Sequence, residues 1–202
     1  MNREPIIIAA GEPNSIFLEI FFKSIEKNIY KSPLIIIVSK KLLQKQMKRL
    51  GFFFEINHID KEFKNFSKLD NKKINLINVD YTFKKPFEKI TNKSNRYINE
   101  IFLISLRIML KNNFSKFVNG PISKKDFLKG KTLGITEYLS KRTSTKNVAM
   151  LIYNKNLSVS PLTTHLALKN VHKSISKKKI YTQVNLINNF YKRKFNKIPR
   201  IA

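Results

Sequence analysis

Apolar positions along the chain alternate between short continuous runs and stretches with helical spacing. Residues 5–10 form an apolar run that ends in Gly11-Glu12-Pro13, as a buried strand does where it enters a loop. Residues 16–29 carry apolar side chains at helical intervals, and residues 34–38 form a second unbroken apolar strand. A basic amphipathic helix follows over 40–50, stopped by Gly51. Strands are expected at 52–56 and 74–79, with a loop around Pro86.

A long helix is predicted over 94–112, where Ile98, Ile101, Phe102, Ser105 and Met109 share one face and further apolar residues flank it. Phe117 and Val118 lead into Gly120-Pro121. Residues 148–153 and 157–163 are two more strand candidates. Ser176 is placed to cap a last helix with Ile180, Val184, Ile187 and Tyr191 on one stripe. Lys197-Ile198-Pro199-Arg200-Ile201-Ala202 has the composition of a strand just beginning, so truncation at the C-terminus is expected. Short buried strands separated by helices predict an α/β fold with a largely parallel sheet and flanking helices.

Composition narrows the class. The absence of cysteine excludes a disulfide framework, a zinc ribbon and a thiol nucleophile. The first apolar run is too short for a signal-peptide core, and no stretch has the length of a membrane span. A cytoplasmic protein is expected. The formal charge of +27 is large enough to attract nucleic acid electrostatically. Its lysines, however, are spread along the chain together with abundant Asn, Ile, Phe and Tyr, all encoded by A/T-rich codons. Biased base composition accounts for that pattern, so no specific nucleic-acid partner is expected.

Open α/β sheets bind ligands at the carboxyl ends of their strands, so the polar segments after each strand are where chemistry is sought. No two of the five glycines form a G-x-G pair, which removes a dinucleotide fingerprint. Gly130-Lys131-Thr132 imitates the tail of a phosphate-binding loop, but Lys125 stands where that motif requires glycine. Four segments remain. Gly11-Glu12-Pro13 allows a tight turn whose following helix can offer free N–H groups to an anion. Asn119-Gly120-Pro121-Ile122-Ser123-Lys124 turns from a strand end towards a lysine able to bind phosphate. Gly134-Ile135-Thr136-Glu137-Tyr138 is a glycine turn opening a helix, with Thr136 as candidate ligand or cap. Thr163-Thr164-His165-Leu166 follows a predicted strand, where a histidine suits metal ligation. His58 and His172 lie in polar and basic surroundings and are expected to be solvated.

In order and spacing these segments resemble the 4-hydroxythreonine-4-phosphate dehydrogenases. That family carries G-[ED]-P, G-P-[IV]-x-K, G-H-T-E-[FY] and T-T-H-[LIV]-x-L in turn. Here they read Gly11-Glu12-Pro13, Gly120-Pro121-Ile122-Ser123-Lys124, Gly134-Ile135-Thr136-Glu137-Tyr138 and Thr163-Thr164-His165-Leu166-Ala167-Leu168. The resemblance implies an isocitrate/isopropylmalate-dehydrogenase-like fold and a homodimer with active sites at the subunit interface. Residues 1–120 would form a first α/β domain, and 121–202 the start of a second that carries the metal and substrate motifs.

The implied reaction is oxidation of 4-phosphooxy-L-threonine by NAD or NADP, followed by loss of carbon dioxide to give 3-amino-2-oxopropyl phosphate. A divalent metal (Zn, Mg or Co) held by three histidines would assist. His165 matches the first metal ligand, Thr136 a substrate-binding threonine, and Lys124 a further substrate contact. Where the family has histidine before that threonine, Ile135 stands here. The first loop has Ser15, Phe17 and Leu18 in place of the family's later glycines and proline. The other metal histidines and the cofactor-binding segments match nothing within the chain. The alternatives are a catalytically inactive paralogue that binds a phosphorylated metabolite, and a basic nucleic-acid-binding protein.

Overall fold

The computed structural model describes residues 3–66, 69–128, 130 and 132–202, and the chain divides into two compact units, Met1–Lys129 and Gly130–Ala202. The first is an α/β layer structure. Strands β1 (Ile6–Ala9), β2 (Leu34–Val38), β3 (Ile56–His58), β4 (Ile74–Asn78) and β5 (Phe117–Asn119) form one sheet in the order β3-β4-β2-β1-β5. Every pairing is parallel, with Ile8 opposite Ile36 and Val118, and Ile36 opposite Leu76. A parallel sheet needs both faces covered, which is why β1 and β2 are nearly unbroken runs of isoleucine, leucine and valine.

Helices α1 (Phe17–Lys27) and α2 (Lys40–Arg49) pack against each other on one face. Side chains alternate along a strand. Ile8, Leu34, Ile36, Val38, Ile74 and Leu76 therefore point together towards Leu18, Phe21, Phe22 and Leu43 of these helices. The other parity, Ile7, Ile35, Ile37 and Ile77, is fully buried, and α3 (Asn95–Asn112) packs on β1 and β2. That helix buries Ile98, Ile101, Phe102 and Ser105 as its periodicity predicts, and Ile104 and Ile108 besides, whereas Met109, expected on the same face, is only half-buried. It ends at Asn113 in the left-handed region (φ 54°), a conformation asparagine adopts more readily than most residues.

One expectation fails in this unit. The strand expected at 52–56 forms only at Ile56–His58, where β4 supplies a partner. Phe52 and Phe54 instead pack on Phe22 of α1, the first tilted and the second stacked, with ring centroids 5.4 and 6.1 Å away. Their burial comes from ring packing rather than from strand pairing.

The second unit holds α4 (Ile135–Arg142), α5 (Leu168–Val171) and α6 (Lys177–Phe195). The strands expected at 148–153 and 157–163 reduce to one antiparallel bridge, Ile152 with Val159. No strand forms over 197–202 either. A two-stranded ribbon is marginal without a third strand or a packed helix, and Ile152 (60% exposed) and Leu157 (75%) find no such cover among the described residues. Ser176 caps α6 as predicted, its side chain accepting the Lys179 N–H at 3.2 Å. The expected stripe of Ile180, Val184, Ile187 and Tyr191 lines a cavity of about 560 Å³ shared with Leu157, Ser160 and Pro199. No helix among the described residues is long and apolar enough to cross a membrane.

Candidate active site

The strand ends of the first unit bring two of the sequence segments together. β1 and β5 are neighbours, so Gly11-Glu12-Pro13 and Asn119-Gly120-Pro121 leave the sheet side by side. The loops touch backbone to backbone: Gly120 N–H donates to Ala9 O at 2.7 Å and Glu12 N–H to Pro121 O at 2.9 Å. Gly11 has φ +72°, and a Cβ there would lie 2.5 Å from Pro121 O. Only glycine fits, in conformation and in space.

Glu12 is the residue sequence reasoning passed over. Its side chain is buried, at 3% exposure, and is held by polar groups on both oxygens. Ser94, at the start of α3, donates its hydroxyl to Oε2 at 2.8 Å, and the Asn14 N–H donates to Oε1 at 3.2 Å. Burial pushes the Glu12 carboxyl above its usual range, partly offset by these hydrogen bonds, and Asp126 nearby pushes it further up. The first loop also spends its own N–H groups. Asn14 N–H goes to Glu12 Oε1, Ser15 N–H to Glu12 O, and Phe17 N–H to Ser15 Oγ. The loop is therefore not the open anion cradle that its glycine turn suggested. A glutamate placed directly after a buried strand and a glycine turn was the available signal.

The sign of that shift gives an expected outcome. A carboxyl whose folded pKa is raised stabilises the fold fully below its unfolded pKa, and that contribution is lost as pH rises through the folded value. Glu12→Gln removes the ionisation. Its amide can donate to Ser94 Oγ while Ser94 donates to Thr91 O, an acceptor already at 3.0 Å. The variant is expected to unfold at a temperature at least as high as the parent at pH 7. The gap should close on acidification towards pH 4, as followed by circular dichroism. A variant less stable at pH 7 than at pH 4, relative to parent, contradicts the assignment.

Lys124 opens a single π-helical turn, Lys124–Leu128, with its side chain exposed. Ser123 and Asp126 hold that turn by a 2.6 Å hydroxyl–carboxylate bond and a 3.1 Å return bond from the Asp126 N–H. Lys131 of the false phosphate-loop motif lies outside the described residues.

In the second unit the third and fourth segments meet. Gly134 precedes α4, and Ile135, Thr136 and Glu137 make up its first turn, with no side chain capping the helix. Thr136 is half-buried. His165 reaches this turn from a loop rather than a strand end: a Cβ on Gly134 would lie 3.6 Å from His165 Nε2 and 3.0 Å from Glu137 Oε2. The missing side chain leaves a space faced by an imidazole nitrogen and a carboxylate oxygen, donors that suit a zinc- or cobalt-type cation. His165 itself has φ 57°, a conformation that costs a non-glycine residue roughly 1–2 kcal/mol. Strain of that kind collects where function over-determines the backbone. His58 and His172 are exposed, and no three metal-ligating side chains cluster among the described residues.

A family model described as pyridoxal phosphate biosynthetic protein PdxA matches residues 30–202. The chain belongs to this family. Among its PdxA relatives, the 4-hydroxythreonine-4-phosphate dehydrogenase of Sulfurihydrogenibium sp. (strain YO3AOP1) is 31% identical over 201 residues, covering 98% of this chain and 61% of the relative. The enzyme of the same name from Colwellia psychrerythraea is 25% identical over 97% of this chain and 60% of its own length. The solved 4-hydroxythreonine-4-phosphate dehydrogenase of Klebsiella pneumoniae superposes with a TM-score of 0.80 at 20% identity, over 95% of this chain and 60% of that one. The fold is thus the PdxA α/β fold. The chain spans about three fifths of the length of these curated relatives.

Proposed function

We propose that this chain supplies metal- and substrate-binding groups to an NAD- or NADP-dependent dehydrogenase acting on 4-phosphooxy-L-threonine. The 3-hydroxyl loses its proton and C3 delivers hydride to the nicotinamide, giving 2-amino-3-oxo-4-phosphooxybutanoate. Carbon dioxide then leaves, and 3-amino-2-oxopropyl phosphate remains, a step in pyridoxine 5′-phosphate synthesis. The observation that carries this reading is His165 Nε2 set against the Gly134 turn that bears Thr136.

His165 is the residue of this chain that would hold a divalent Zn, Mg or Co ion. Such an ion, when bound, polarises the reacting oxygen and stabilises developing alkoxide charge. Thr136 offers a hydroxyl at the uncapped start of α4, where the free backbone N–H groups and the helix dipole favour an anionic substrate group. Lys124, exposed and cationic, is assigned a phosphate contact. The net charge of +27 draws a phosphorylated metabolite by long-range attraction without a specific nucleic-acid partner. The protein is assigned to the cytoplasm as a homodimer whose active sites lie at the subunit interface. No residue of this chain is assigned to the nucleotide.

A second reading, an inactive paralogue that retains phosphorylated-metabolite binding, rests on Ile135. Its side chain cannot make the hydrogen bond of the histidine in the family motif. The deciding assay supplies 4-phosphooxy-L-threonine, NAD or NADP, and each metal in turn, and follows reduced nucleotide at 340 nm together with substrate affinity by calorimetry. Turnover supports the dehydrogenase. Binding without turnover, with activity gained in Ile135→His, supports the paralogue, and absence of both binding and turnover overturns both.

A further inference from the structure

A concavity of about 440 Å³ in the first unit has no role in the reading above. It opens where β2 passes into α2 and β4 into the loop that follows, on the carboxyl edge of the sheet. That is the edge at which open α/β sheets bind ligands. Lys41, Gln44 and Lys45 line it from α2, and Tyr81, Thr82, Phe83 and Lys84 from the loop, with no acidic side chain among them. The three lysines are exposed and enter none of the ion pairs formed among the described residues. Glu88, close by in the loop, uses its Oε1 to accept the Lys84 and Lys85 N–H groups at 2.7 and 2.9 Å.

A column of rings backs the cavity. Phe83 stacks on Tyr81, with centroids 6.1 Å apart and planes 16° apart, and Tyr81 lies 4.6 Å from the buried ring of Tyr97. Tyr97 is fixed in turn by accepting the Ser39 N–H at 2.9 Å. Asn78 Oδ1 accepts the Lys40 N–H at 2.8 Å, which ties the end of β4 to the start of α2. Asn14 Oδ1 accepts the Glu88 N–H at 3.0 Å, which ties the loop to the Gly11 turn. The two walls are therefore held in place before any ligand arrives, and a site of that kind loses little freedom on binding.

Tyr81 and Phe83 are half-buried and offer a flat π-face, and a base stacks on such a face whatever its identity. Lysine ammonium groups supply point charges for phosphate oxygens. A ring platform and three cations outside any ion pair, around one cavity large enough for a small molecule, fit a ligand with a planar ring and a phosphate. We infer that this concavity binds a nucleoside phosphate, its base against Phe83 and Tyr81 and its phosphate among Lys41, Lys45 and Lys84. The inference is independent of the dehydrogenase reading, because the cavity contains none of the groups assigned there to metal or substrate. The competing account is that these lysines are only a sample of the net charge of +27 and attract any anion equally.

Calorimetric titration of the full chain with AMP, without metal or substrate, separates the two. AMP is expected to saturate a single site, with adenosine and inorganic phosphate each weaker by roughly 10-fold or more. Phe83→Ala is expected to lower AMP affinity roughly 5- to 150-fold, with folding checked by the thermal midpoint. The double variant Lys41→Gln/Lys45→Gln changes only exposed side chains. It should weaken AMP while leaving adenosine unchanged, and it carries the test if Phe83→Ala fails to fold. Lys177→Gln/Lys178→Gln removes the same charge from exposed positions of α6 and should leave AMP affinity at the parent's value. A short single-stranded oligoadenylate identifies the source of the nucleotide. If AMP binds as tightly or more tightly, the ligand is the free nucleotide; if the oligoadenylate displaces AMP and binds more tightly, it is a strand. Equal losses in the two lysine pairs, parent affinity in both Phe83→Ala and Lys41→Gln/Lys45→Gln, or no AMP binding by the parent overturns the site.

Discussion

With His165 as the metal ligand proposed above, His165→Gly is expected to abolish divalent-cation binding while making the second unit more stable. The two effects have separate causes. Nε2 is the one imidazole nitrogen brought to the Gly134 turn, so its removal should reduce Co²⁺ affinity by more than about 100-fold, beyond the loss typical of a supporting residue. The backbone at His165 sits at φ 57°, where glycine is at ease and other residues are strained by roughly 1–2 kcal/mol. Relief of that strain should raise the thermal midpoint, reduced somewhat by glycine's greater freedom in the unfolded chain. His165→Ala should lose metal to the same extent without the gain in stability, because alanine retains a Cβ. Calorimetric titration and thermal melts of the two variants test this directly. Equal melting temperatures for His165→Gly and His165→Ala would mean that the backbone is not strained. Retained metal affinity would remove His165 from the site.

The second large effect is structural. Gly120→Ala should destabilise the first unit by about 3 kcal/mol or more, the upper range for overpacking. A Cβ at Gly120 would lie 2.1 Å from Ala10 O and 2.7 Å from Ala10 C. Those are backbone atoms at the end of β1, which cannot rotate aside as a side chain would. Moving them means breaking the Gly120 N–H bond to Ala9 O and the loop contact of Glu12 with Pro121. Gly51→Ala is the control. Unlike Gly120 it has a left-handed backbone (φ +78°), with nothing within 4 Å of the added Cβ, so it should cost only the conformational penalty of roughly 1–2 kcal/mol. Denaturant unfolding of both variants measures the difference. A Gly120→Ala protein within about 1 kcal/mol of the parent would show that the two loops are not locked together.

Much of the fold is legible in the sequence because its elements are set by local pattern. The unbroken run Leu34–Val38 and the helix Lys40–Arg49 closed by Gly51 are found where the periodicity places them. The same holds for the buried face of α3 and for Ser176 as the cap of α6. The failures fall where the pattern is shared by two outcomes. Phe52 and Phe54 have the composition of a strand, but their rings pack on Phe22. Residues 148–163 have strand-like alternation, but a lone Ile152–Val159 bridge is all that pairing supports.

Sequence by itself determined the α/β class, the main helices and the parallel core strands, because these depend on side chains within a few residues of one another. The strand order β3-β4-β2-β1-β5 depended on long-range packing, and so did everything that follows from it. Only the tertiary structure set β1 beside β5 and so buried the Glu12 carboxylate between two loops and the start of α3. Only it carried His165 back to Gly134 and Glu137, on a backbone conformation no periodicity signals. Proximity between residues distant in the chain comes from closing loops against their entropy, and the packing that offsets that cost is not written in any local window.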